Sequence, residues 1–110
     1  MPSFSLEDYH EQQLPINLMA SGLTVVIPAK SNCSIHVCKM LISGLGAENY
    51  TFYDGASNPL SGPLQNDVTI AFDFQGALAT SEGNAFGISL SGATTVGGWI
   101  SFYYLIESPV

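Results

Sequence analysis

From Ile16 onward the chain alternates apolar and polar residues with a period of two, and turn residues interrupt the alternation about every ten positions. Ile16, Leu18 and Ala20 alternate with Asn17 and run into a Ser21-Gly22 turn. Leu23 to Ala29 (LTVVIPA) reads as a short strand that Pro28 ends. Cys33 to Ser43 (CSIHVCKMLIS) is the longest strand. Its alternation puts Ile35, Val37 and Leu41 on one face, with Lys39 interrupting, and Ser34, His36, Cys38, Met40 and Ile42 on the other. Asn49 to Tyr53 is a strand closed by the tight turn Asp54-Gly55, and a short extended piece follows near Leu60 to Leu64. Val68 to Phe74 is the most one-sided strand, and QGALATSEGNA after it reads as a loop. Phe86 to Ser91 and Trp99 to Ile106 complete the series.

Seven to eight short strands with turns between them predict an all-β fold, a jelly-roll-like antiparallel β-sandwich. No helical period of useful length appears, and no internal repeat points to a propeller or solenoid. Residues 1–13 read as an N-terminal arm in which Phe4, Leu6 and Tyr9 are spaced as anchors that order against a partner. Residues 14–110 read as a single domain.

The last strand poses a question. In GGWISFYYL, Trp99, Tyr103 and Leu105 alternate with Ile100, Phe102 and Tyr104, so both faces are apolar. One face serves the domain's own core. The other needs a cover, either loops of the same chain or a second subunit. Trp99, Phe102, Tyr103 and Tyr104 are therefore candidates for a subunit interface, because Trp and Tyr bury much area while keeping a polar handle.

Composition sharpens that reading. Charged residues are 10% of the chain, against about 25% in ordinary globular domains. Such a surface fits a protein partly hidden in an assembly. The formal net charge is −7, with only Lys30 and Lys39 basic. Phosphate neutralisation needs clustered Lys and Arg, so nucleic acid is not an expected partner, and an anionic membrane would repel the chain. The first residues have neither the basic nor the apolar region of a signal peptide, and no run approaches the roughly 18 apolar residues of a membrane helix. Synthesis and assembly inside a cell are the expectation. Cys33 and Cys38 sit five apart in one strand, about 16 Å at strand rise, beyond disulfide reach. They read as two reduced thiols.

Candidate chemistry is sparse. His36 and Cys38 share a strand face, but a structural zinc needs four ligands and no second Cys/His pair exists. The acids Glu48, Asp54, Asp67, Asp73, Glu82 and Glu107 are scattered singly. Glu7, Asp8 and Glu11 cluster in the arm, where acid-base geometry is hard to hold. Neither a catalytic constellation nor a metal or cofactor site is expected, and the chain does not read as an enzyme.

The strings TFYDGASNPLSGP and FDFQGALATSEGNAFGISLSGATTVGGWISFYY resemble small β-sandwich proteins encoded by tailed phages and prophages. The shared features are a YDG turn, an SGP loop, a segment like TSEGNA before a strand ending LS, and a Tyr-rich final strand. The resemblance covers about residues 50 to 105. Several such proteins are capsid decoration, or cement, proteins. The resemblance implies a jelly-roll protein on the outer surface of a phage head, made in the host cytoplasm, that binds neighbouring major capsid proteins. It also implies self-association, as a homodimer or a trimer. The alternative is a small receptor- or glycan-binding module of a tail fibre, which would place Tyr53, Asp54 and Asn58 on a sugar.

Overall fold

The structure, a computed structural model, describes residues 10–44, 49–65 and 69–107. The arm anchors Phe4, Leu6 and Tyr9 lie outside the described residues, as does Val68 of the one-sided strand. Eight strands form: β1 Gln12–Leu18, β2 Gly22–Ile27, β3 Cys33–Ser43, β4 Tyr50–Asp54, β5 Asn58–Pro59, β6 Ile70–Ala79, β7 Phe86–Leu90 and β8 Val96–Ile106. β1 starts at Gln12, so the last two residues assigned to the arm belong to the sandwich.

Sheet A has the strand order β1-β8-β3-β6 and sheet B the order β2-β7-β4-β5. β1 pairs with β8, β2 with β7, β3 with β6 and β4 with β5, all antiparallel. That is one long hairpin of strands, closed at the β4–β5 tip and wrapped so that successive pairs fall in opposite sheets. This is the topology of a jelly roll, as the alternation predicts. β8 lies centrally between β1 and β3, while β1, β6, β2 and β5 are edges.

The core lies between the two inner faces. Ile16, Leu18, Ile35, Val37, Met40, Ile42, Val96, Ile100 and Phe102 come from sheet A, and Ile27, Tyr50, Phe52, Phe86, Ile88 and Leu90 from sheet B. Phe52 ties the sheets together. Its ring meets Phe72 edge-on at 5.8 Å and Phe74 at 6.1 Å across the core, and Phe86 at 5.8 Å beside it. Such aromatic pairs add to the area that they bury. The core takes more aromatic surface than simple alternation suggests. Of the clustered aromatics, Tyr50, Phe52, Phe72, Phe74, Phe102 and Tyr104 lie in it or against it.

Two irregularities change which residues face inward. Val37 pairs with Phe102 and Lys39 with Ser101, so Cys38 is an extra residue in β3. This bulge resets the alternation. Met40 and Ile42, grouped with His36 by simple alternation, are fully buried beside Ile35 and Val37. Lys39 is exposed and Leu41 half-buried, which corrects the face assigned to Leu41. The second irregularity lies opposite, in β6. Val37 pairs with Leu78 but Lys39 with Asp73, so residues 74–77 leave the ladder with β3. Gln75 and Gly76 adopt φ of 53° and 82° to make the excursion. QGALA is thus the second half of β6 and not a loop.

Candidate functional site

β8 brings its interface candidates to different places. Phe102 is 1% exposed and faces the core, so it presents no surface to a partner. Tyr104 is half-buried, meets Phe102 edge-on at 5.4 Å, and donates its hydroxyl hydrogen to the Pro28 carbonyl at 2.8 Å. Burial, then the neighbouring Cys33, pushes its phenol up, so it remains a donor. Lys30 sits over the Tyr104 ring, 5.2 Å from its centroid. Trp99 is half-buried in a row that runs across sheet A from Pro15 through Trp99 to Leu41 and Ala71.

Tyr103 is covered by the chain itself. Its ring stacks on His36 with centroids 5.1 Å apart and planes 4° from parallel. It also lies against Gly76, where a Cβ would come within 2.9 Å of the Tyr103 hydroxyl. The β6 bulge therefore brings backbone over the outer face of sheet A, and only glycine allows that approach. His36 Nδ1 donates to the Gly76 carbonyl at 2.9 Å, and its Nε2 lies 3.1 Å from the Ser34 hydroxyl. Ser34 is buried, so this Ser–His contact orients the ring and offers no nucleophile to solvent. Cys33 and Cys38 are both free thiols. Burial, then the Glu11 and Asp73 carboxylates, pushes the Cys38 thiol up and keeps it neutral.

Asp54 is a structural latch. It is buried at the end of β4, where its carboxylate accepts four hydrogen bonds. Ser81 donates from its backbone N–H at 3.0 Å and its hydroxyl at 2.8 Å, Asn84 from its amide at 3.0 Å, and Asn58 from its amide at 3.3 Å. Burial pushes the carboxyl up, but the bonds from Asn84, Ser81 and Asn58 outweigh it and hold the group below the ordinary carboxylate value. Asp54 of YDG thus binds Ser81 and Asn84 of TSEGNA, joining the two strings on which the phage resemblance rests. Thr80 extends the junction: it accepts from the Ile35 N–H at 3.0 Å and donates to the Asn84 carbonyl at 3.2 Å. Asp54 and Asn58 are committed to one another and to this loop.

The outer face of sheet B is different. Its strands contain a single charged residue, the buried Asp54. One row crosses the sheet from Val25 through Gly87 and Tyr53 to Pro59, and the next runs from Leu23 through Ser89 to Thr51. Leu23 lies across Gly87, where a Cβ would come within 2.8 Å of the leucine methyl. Among the described residues, the exposed large hydrophobics gather at this end of the sheet: Met19 at 67%, Val25 at 58% and Leu23 at 38% exposed. Simple alternation gave no reason to single them out. The available signal was the absence of charge from Leu14 through Ala29. Among the described residues, no group of three or more His, Cys, Asp or Glu side chains is placed to hold a metal ion.

No known family profile and no curated protein matches the chain. Among solved structures, it has a likeness to PliG of Aeromonas hydrophila, a periplasmic inhibitor of g-type lysozyme. The two share 10% identity and a TM-score of 0.37, over 94% of this chain and 93% of that one. A likeness so distant carries no argument about fold or function.

Proposed function

We propose that this chain is a structural protein of a tailed-phage head, a decoration protein that binds the outer capsid surface and cements neighbouring major capsid proteins. The observation that carries the reading is the surface of sheet B, where Leu23 and Val25 are exposed and the strands' one charge is buried. Exposed apolar area free of charge suits contact with another protein. The sequence resemblance gives that contact its setting. The two strings that carry the resemblance interlock through Asp54, which holds the β4 end to the β6–β7 loop. A head repeats each contact many times, so modest pairwise affinity becomes large collective stabilisation.

The test compares heads with and without the chain. Heads assembled without it release their DNA at a lower temperature, and adding the purified chain restores the higher one. Equal release temperatures in both preparations contradict the proposal.

A further inference from the structure

The outer face of sheet A is roofed at one end only. There the β6 excursion lays Gly76 against Tyr103, and His36 is tied to the Gly76 carbonyl. The row from Pro15 through Trp99 and Leu41 to Ala71 lies outside that roof. Trp99 and Leu41 are half-buried, and Pro15 and Ala71 are exposed. Between roof and row run Gln13, Ser101, Lys39 and Asp73, paired in that order across the four strands.

The chain enters β1 from over this face. The ladder of β1 with β8 stops at Gln12, opposite Phe102, and Glu11 does not continue it. Glu11 reaches across the sheet instead, and its carboxylate accepts a hydrogen bond from the thiol of Cys38 on β3, beyond β8. Ser101 of the intervening strand alternates outward with Trp99 and Tyr103, yet it is 3% exposed. The segment that leads to Glu11 therefore approaches above the middle of sheet A and not along its edge.

Residues 1–9 precede this point and lie outside the described residues. Extended, they span about 30 Å, and the four strands of the sheet are about 15 Å across, so the segment can reach every part of the face. The β6 excursion occupies the Tyr103 end, which leaves the Trp99 row as the way open from Cys38. The segment also suits that row in chemistry. Phe4, Leu6 and Tyr9 are apolar matches for Trp99 and Leu41, and Glu7 and Asp8 are acids. Lys39 is the one lysine or arginine in the described strands. Asp73 across from it accepts the Gln75 N–H at 3.2 Å. The strands of sheet B offer the acids no cation.

We infer that the arm folds back over the outer face of its own sheet A, with Phe4, Leu6 and Tyr9 covering the Trp99–Leu41 row and Glu7 and Asp8 turned to Lys39. Tethering at Glu11 makes the contact intramolecular, so weak pairwise attraction suffices to hold it. The cover is also a restraint. The same three side chains are the head anchors, so attachment must draw them off Trp99, and they stay sheltered until a capsid surface competes for them. That consequence rests on the head reading, and the docking itself does not.

Trp99 is the sole tryptophan, so its fluorescence reports the cover directly. The measurement is acrylamide quenching of the purified full chain, without heads. Replacing Phe4, Leu6 and Tyr9 together with Ser raises the quenching constant about twofold or more and shifts the emission to the red. Lys39→Gln raises it in the wild type and adds little in the triple variant, as coupled sites require. Circular dichroism and a cooperative melt show that these variants keep the sandwich, since Lys39 is exposed and the arm precedes the strands. Equal quenching in wild type and triple variant overturns the inference. So does shielding that disappears on dilution, which assigns the cover to a second copy. Either failure leaves the head assignment to its own test.

Discussion

Asp54 carries the most concentrated set of polar contacts among the described residues, and its role was only half legible. As the residue before Gly55 it reads as turn chemistry, which it is. Its donors on Ser81 and Asn84 lie 27 and 30 positions away, beyond any local pattern. Replacing Asp54 with Ala removes the acceptor and leaves buried donors unpaired, at a cost of about 3 kcal/mol in chemical denaturation. The latch also makes stability depend on pH. The folded-state pKa lies below the unfolded one, so the stabilisation is full above the unfolded value, near 4, and is lost as pH falls through the folded value. The wild type should therefore lose stability more steeply in acid than Asp54→Asn, as read from melting temperatures across the acid range. Parallel pH profiles for the two proteins would contradict the role assigned to this carboxylate.

Most elements were visible in the alternation of side chains, because a strand that buries one face must repeat with a period of two. Their facing was less visible. The bulge at Cys38 turned Met40 and Ile42 inward, and the one hint in the sequence was Lys39 standing where alternation demanded an apolar residue. The bulge in β6 hid the strand's second half, since Gln75-Gly76 has the composition of a turn. Both bulges occur where β3 and β6 pair, and neither is encoded by one strand alone. This gives an element-scale prediction. Deleting Cys38 leaves Val37 in, Lys39 out and Met40 in, so that variant folds and melts cooperatively. Deleting Leu41 turns Ile42 outward, and that variant loses its cooperative melt. The reverse ranking would mean that the bulge and not the alternation holds β3 in register.

At the scale of the whole molecule, the second apolar face of β8 is answered in part from within. Phe102 and Tyr104 belong to the core-facing side, and Tyr103 on the other side is roofed by His36 and Gly76. Sequence could not anticipate this, because the roof comes from a bulge in a strand two places away in the sheet. The surplus apolar surface lies on sheet B instead, at Leu23 and Val25, with Met19 just before β2. β1 begins at Gln12 and pairs with β8 from there, so a chain that starts at Glu11 keeps all the strand pairs of the described residues. We predict that this truncation leaves the melting temperature within a few degrees of wild type while weakening attachment to heads, as read by cosedimentation. Equal attachment would exclude Phe4, Leu6 and Tyr9 as anchors.

The proposal that this chain works by contact, as a cement on a phage head, is tested most directly by counting it. If the proposal holds, quantitative mass spectrometry of heads purified from particles induced from the genome that encodes the chain finds it at a fixed ratio to the major capsid protein, unchanged by further purification. Heads that contain none of it, or amounts that fall away with each purification step, would contradict the account.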